Sequence, residues 1–231
     1  VVFRVVTVLP QLIVEGMNHG VIGVACKKGL IQLETISPRL FTKDIHKTID
    51  DRPYGGGDGM VMLPETLKET VESLIANSPT IKPESRVCVY LSPQGRPWNS
   101  HLASEFAKRY SEIILICGRY AGVDQRFLNQ NIDFEISIGD YVVSGGEFPA
   151  LVLMDSIGRF LPGVLGHEKS AQNDSFHEDL LESPQFTRPR KWYHQSVPEV
   201  LLSGDHKAIA QWRDACSWWI TLQKRPDLFN L

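Results

Sequence analysis

The sequence has no C-x-x-C pair. Its cysteines, Cys26, Cys88, Cys117 and Cys216, are scattered, so neither a disulfide framework nor a zinc site is spelled out, and buried reduced thiols are expected. The histidines form no H-x-x-x-H pair, and no metal site is expected. No apolar run nears the roughly 20 residues that span a bilayer. The first 14 residues are interrupted by Arg4 and Pro10, and the reading is a cytoplasmic protein with no membrane association. No G-x-G-x-x-G follows the first apolar run, which disfavours a dinucleotide-binding dehydrogenase or an ordinary Rossmann-type methyltransferase. The glycine-rich string at 51–60 lacks the G-K-[ST] ending of a phosphate-binding loop. There is no surplus of positive charge: 24 Lys and Arg against 27 Asp and Glu give −3, so any contact with nucleic acid must come from a local basic patch. Internal repeats and low-complexity tracts are absent.

What is present is a globular composition, with 231 residues giving material for one large domain and a smaller second one. Residues 3–9, 21–26 and 30–36 read as strands, with Pro10 ending the first. Residues 39–52 are polar, with Arg39, Lys43, His46, Lys47 and Arg52 among aspartates; this is either a solvated loop or a basic surface for RNA. Pro64, Leu67, Val71 and Leu74 mark a helix ending near Asn77. Strands follow at 86–91, 112–117 and 132–138, alternating with helices traced by Leu102, Phe106 and then Leu151, Met154 and Ile157. Such alternation predicts an α/β domain, residues 1–161, whose mainly parallel sheet is covered on both faces. Residues 162–176 read as an interdomain linker and 177–231 as a small helical domain. Its long helix, 205–225, carries Ile209, Trp212, Cys216 and Trp219 on one stripe, and these tryptophans are expected in a core.

Three loops, 91–98, 118–124 and 138–146, each follow the end of a predicted strand. In open α/β sheets the ligand crevice lies beyond the carboxyl ends of the strands, so the three can converge on one pocket. The last loop has Gly139, Gly145 and Gly146 within eight residues, too many for a helix or strand interior. A plain turn is one reading, and a backbone cradle for a flat, nucleoside-like ligand is the other.

The strings DDRPYGGGDGM, YLSPQGRPW, CGRYAGVD, SIGDYVVSGGE and RFLPGVLGHEKSAQNDSF stand in this order between Asp50 and Phe176. Together they resemble the bacterial tRNA (guanine-N1)-methyltransferases, and Thr187-Arg188-Pro189 with the Trp-rich helix extends the likeness. The resemblance implies a knotted, SPOUT-like sheet domain with a C-terminal trefoil knot, and a homodimer whose active site is shared between subunits. It further implies S-adenosylmethionine as methyl donor, with magnesium admitted as an assisting ion though no motif specifies it. The substrate implied is the guanosine just 3′ of the anticodon, in the tRNA anticodon stem-loop, where methylation helps hold the reading frame. By motif match the cofactor pocket takes Tyr90, Leu91, Ser92, Pro93, Gln94 and Gly95 from the first loop, and Gly118, Tyr120 and Ala121 from the second. From the third it takes Ser137, Ile138, Gly139, Asp140, Tyr141, Val142, Val143, Gly145 and Gly146, with Pro149 beyond.

The implied chemistry needs a base and a cation, because guanine N1 carries a proton and its loss places negative charge on O6. The match assigns the base to Asp174 and the cation to Arg159. An ordinary aspartate, with a pKa of about 3.9, is a weak base, so proton removal must be helped by burial or concerted with charge stabilisation by the arginine. Without the resemblance, Asp174 reads as a helix N-terminal acid beside Ser175. Candidates for RNA contact are Arg52, Arg188, Arg190 and Lys191, the last three running into Trp192, Tyr193 and His194, where cations interleave with aromatics. A solvated turn is the competing reading. Two positions depart from the family pattern: Ala121 stands where a glutamate is usual, and Asp58 where proline is usual. Ala121 motivates the rival expectation of a knotted RNA-binding protein with weak or lost catalysis.

Overall fold

The computed structural model describes residues 1–166, 174–176 and 178–229, and the chain divides into two compact units, Val1–Gly166 and His167–Leu231. The first is built on a five-stranded parallel sheet in the order β2-β1-β6-β5-β7. Its strands are β1 (Val2–Val6), β2 (Gln32–Ile36), β5 (Arg86–Pro97), β6 (Glu112–Cys117) and β7 (Phe134–Ser137). The central strand, β6, is buried along its whole length. Its side chains alternate: Ile113, Leu115 and Cys117 enter one apolar layer, Ile114 and Ile116 the other. The first layer is completed by α1 (Pro10–Met17), α2 (Gly20–Lys27), α4 (Ser100–Arg109) and α6 (Glu147–Gly158). The second is completed by α3 (Pro64–Ala76), through Leu67, Val71 and Leu74, and by Phe127 of α5 (Gln125–Asn131). A parallel sheet covered on both faces follows from strands that are apolar on both faces.

Local chemistry sets the ends of these helices. Pro64 opens α3 at a position where its missing N–H is no loss. The Asn99 side chain accepts the Leu102 N–H to start α4, and Lys108 and Arg109 lie in its last turn. Three expectations need correction. Residues 21–26 form helix α2, not a strand: Ile22 and Ala25 are buried while Val21 and Val24 are exposed, a spacing of three, and a short apolar run does not by itself tell strand from helix. The first strand ends at Val6 rather than at Leu9, so Pro10 does not end it but begins helix α1. And β5 runs through the proline-rich segment to Pro97 rather than ending at Leu91.

The first unit extends to Gly166, five residues past the expected end at 161, because Leu161 and Val164 are buried in the first apolar layer. Residues 167–173 of the expected linker lie outside the described residues. A short antiparallel ribbon, β3 (Asp50–Asp51) with β4 (Val61–Met62), carries the glycine loop. The second unit holds the hairpin β8 (Lys191–Trp192) and β9 (Gln195–Ser196), a single turn α7 (Glu199–Leu202) and the long α8 (His206–Lys224). The Asp205 side chain caps α8 by accepting the N–H groups of Lys207 and Ala208. The expected tryptophan core is only partly formed. Trp212 is half-buried near Phe186, but Trp218 and Trp219 are 58% and 59% exposed, and the covered stripe is Ile209, Trp212, Cys216 and Ile220.

Candidate functional site

Residues 90–94 of β5 and the loops after β6 and β7 meet in a cavity of about 350 Å³. The register of β5 against β7 shifts between Leu91 and Arg96, so residues 92–95 leave the ladder and bulge toward the crevice. The excursion returns through Gly95, where an added Cβ would lie 2.4 Å from backbone atoms of Glu135 and Ile136. Trp98 closes it by donating its N–H to the Ser137 carbonyl at 2.8 Å and its indole N–H to Ser156 Oγ at 2.9 Å.

The second and third loops touch each other directly. The Gly146 N–H donates to the Gly118 carbonyl at 3.0 Å, and a Cβ on Gly146 would come within 2.6 Å of Cys117 Cα. A Cβ on Gly145 would meet Arg119 Nε at 2.5 Å. Gly146 is therefore required by close approach of two backbones, and Gly145 leaves room for the Arg119 and Glu147 side chains. Beneath them Arg119 Nη2 lies 3.0 Å from Oε2 of Glu147, which is 1% exposed. The Thr7 hydroxyl donates to Glu147 Oε1 at 2.7 Å, and Arg119 Nε to the same oxygen at 3.3 Å. Oε2 thus has a charge partner but no formed hydrogen bond. Arg119 also donates to the Ser144 carbonyl, tying the third loop to the second.

Tyr90 forms part of the wall, and its hydroxyl is pushed up to about 12 by burial, with the Glu135 charge adding and a hydrogen bond to the Val123 backbone opposing. It stays neutral at physiological pH. Burial likewise pushes the Cys117 thiol far up, so it offers no thiolate. The β3–β4 ribbon is fastened at the rim: Ala121 N–H donates to the Met60 carbonyl at 2.8 Å and Met62 N–H to the Gly122 carbonyl at 2.9 Å. A Cβ on Gly59 would lie 3.2 Å from that of Ala121, so the small residue at 121 packs against the glycine loop.

Of the residues assigned to a cofactor from sequence, Tyr90 to Gln94, Gly118, Tyr120, Ala121, Ser137 to Gly139, Tyr141 to Val143, Gly145, Gly146 and Pro149 line this cavity. Gly95 and Asp140 do not: Gly95 packs on β7, and Asp140 is exposed. Sequence reasoning missed Arg119, Gln125, Leu128 and Glu135, which also line it. Gln125 and Leu128 had a usable signal, since a helix that begins directly after a crevice loop presents its first turn to the crevice. Arg159 follows the last turn of α6, with its N–H donating to the Asp155 carbonyl, and is half-buried. Asp174 is half-buried in the second unit, beside Ser175, whose hydroxyl accepts the Glu182 N–H.

Arg188 and Arg190 line a separate cavity of about 380 Å³ within the second unit, and Lys191 is exposed on β8. Arg52 is exposed in the turn after β3. Part of the charge in 39–52 is engaged locally: Arg39 donates to the Lys47 carbonyl and Asp44 accepts from Thr48.

The family described as tRNA (Guanine-1)-methyltransferase TrmD matches residues 1–231. Among similar curated proteins, the tRNA (guanine-N(1)-)-methyltransferase of Shewanella denitrificans is 48% identical over 226 residues, covering 98% of this chain and 89% of its own. Those of Pseudoalteromonas atlantica and Klebsiella pneumoniae are 45% and 46% identical, with 99% and 98% of this chain and 84% and 87% of theirs covered. A match across the whole chain, with relatives this similar, leads to one conclusion: this chain belongs to the tRNA (guanine-N1)-methyltransferase family.

Proposed function

We propose that the chain transfers a methyl group from S-adenosylmethionine to N1 of the guanosine immediately 3′ of the tRNA anticodon, a modification that supports reading-frame maintenance. The observation that carries this reading is the cavity where residues 90–94 of β5 meet the loops after β6 and β7. Its volume falls in the range of small-molecule sites. Among the described residues its lining has one cation, Arg119, already paired with Glu147, and one carboxylate, Glu135. That balance suits a nucleoside carrying a sulfonium better than a phosphate. Loops 91–95, 118–122 and 138–146 would hold the cofactor, which when bound supplies an electrophilic methyl. Magnesium has no assigned ligand in this reading.

The residues' own part is proton removal and charge stabilisation. Asp174 takes the N1 proton, and Arg159 meets the negative charge that develops on O6. Arg52, Arg188, Arg190 and Lys191 contact the anticodon stem-loop. The sheet domain is threaded as a trefoil knot, a reading that rests on membership of the family. The working unit is a homodimer with a shared site, supported by apolar side chains exposed on α2 and α6, namely Val21, Val24, Phe148 and Val152. It acts in the cytoplasm.

The test is methyl transfer to an anticodon stem-loop transcript, with and without Asp174→Asn. The expected result is transfer by the unmodified chain and a loss of about 10²-fold or more in the variant, the scale of a general base. Tight stem-loop binding without transfer by the unmodified chain would favour the second reading, an RNA-binding protein with weak or lost catalysis, for which Ala121 is the motive.

A further inference from the structure

The second unit contains a cavity at which two of the proposed RNA contacts, Arg188 and Arg190, come together. It is formed by the segment 184–190, by Val197, and by the facing sides of α7 and α8, and its volume of about 380 Å³ lies in the small-molecule range. Its character is opposite to that of the sheet cavity. Arg188, Arg190 and Arg213 line it, and no carboxylate does. Among the described residues none of these guanidinium groups has an ion pair or a side-chain hydrogen bond, whereas Arg225, Arg126 and Arg119 are each paired with a carboxylate. The rest of the lining is mainly apolar, including Phe186, Leu201 and Ile209, with Gln185 and Thr187 its uncharged polar members. Unneutralised cations beside an apolar surface are selective for an anion that also carries a flat apolar face.

We infer that this cavity is a nucleotide site, taking one 5′-phosphorylated nucleotide of the RNA with its phosphate against Arg188, Arg190 and Arg213 and its base against Phe186, Leu201 and Ile209. The inference rests on the reading of RNA as substrate and adds to it a built subsite distinct from the methyl-transfer pocket. Guanidinium forks match phosphate oxygens bidentately. An unstacked base is held by apolar and aromatic contact, which tolerates any sequence. The neighbouring hairpin continues the surface: Val197 N–H donates to the Arg190 carbonyl at 2.9 Å, which ties the cavity wall to β8 and β9. There Trp192 and Tyr193 are 66% and 76% exposed with ring centroids 4.7 Å apart. A strand leaving the cavity along the hairpin would find these rings next.

Calorimetric titration of the full chain, with S-adenosylhomocysteine saturating the sheet pocket, compares uridine 5′-monophosphate, uridine and inorganic phosphate. The monophosphate should bind about tenfold tighter than either fragment, since phosphate and base contacts act together. Arg213→Gln should weaken it about fivefold or more while leaving the thermal midpoint unchanged, with Arg190→Gln as an independent variant outside α8. Equal affinity for monophosphate and inorganic phosphate, or monophosphate binding unaffected by both variants, overturns the inference. Failure of the RNA reading looks different: the unmodified chain then binds no anticodon stem-loop. A stem-loop bound equally by the unmodified chain and by both variants sinks the nucleotide site and with it the Arg190 contact, while the reading of RNA as substrate stands.

Discussion

Two buried carboxylates sit at opposite ends of the same sheet and are treated differently. Glu112 begins β6 at the amino end and is fully buried. It accepts from Arg4 Nε at 2.6 Å, from Ser78 Oγ at 2.8 Å and from Arg86 Nε, so that residues of β1 and β5 are stapled to the strand between them. Arg4 also pairs with Glu34 on β2. At the carboxyl end, Glu147 joins Thr7, Arg119 and α6, yet one of its oxygens lacks a formed hydrogen bond. Arginines on regular strands supply the charged partners at the first end, and a loop arginine beside a glycine contact supplies it at the second. The difference assigns stability to the amino end and loop placement to the carboxyl end.

The sharpest break of that assignment would come from Glu112→Ala. It strips Arg86, whose side chain is 12% exposed, of its carboxylate partner and leaves Arg4, 9% exposed, with Glu34 alone. Stripping one partner from such a group costs about 3–5 kcal/mol. Urea unfolding should show this loss, while S-adenosylmethionine affinity of the folded fraction should stay within about twofold, as expected for distant sites with no shared partners. A fall in affinity parallel to the fall in stability would show that the two ends are not separable.

Gly146→Ala asks the converse question. The added methyl would lie 2.6 Å from Cys117 Cα, a backbone atom that cannot swing aside. Overpacking of this kind costs about 1–3 kcal/mol, but the displaced loops should lower the methyl-transfer rate by about 10²-fold, as misplacement near 1 Å does. Single-turnover assays against denaturation midpoints separate the two effects. A variant that lost stability alone would deny the loop contact its proposed role in the site.

The same contrast explains what could be read from the sequence. Strand β6 was legible because Ile113 to Cys117 is an uninterrupted apolar run between polar ends, and the three crevice loops because their glycines follow such runs. Helix α2 was not, since eight residues with exposed Val21 and Val24 look alike in either period. The Arg4–Glu112 bond spans 108 residues of sequence and has no local signal, nor has the placement of β6 between β1 and β5. Arg119 was overlooked because its role depends on Gly145, 26 positions away, leaving room for its side chain. The catalytic assignment came from resemblance, as no spacing ties Arg159 to Asp174.

The smallest expected effect is a pH dependence located at the amino end. Burial alone would raise the Glu112 carboxyl, but hydrogen bonds from Arg86, Ser78 and Arg4 together outweigh it and hold it below its ordinary 4.5. The unfolded chain therefore takes up this proton first as pH falls, and stability declines wherever the unfolded state binds more protons. The contribution of Glu112 should be complete above about pH 4.5 and should drain away as pH drops through the lower, folded value. Urea midpoints taken from pH 7 to pH 3 should fall more steeply for the unmodified chain than for Glu112→Gln, which keeps the shape and cannot titrate. Equal acid slopes would mean that Glu112 does not exchange its proton on unfolding, and the staple at the amino end would then owe its strength to packing rather than to charge.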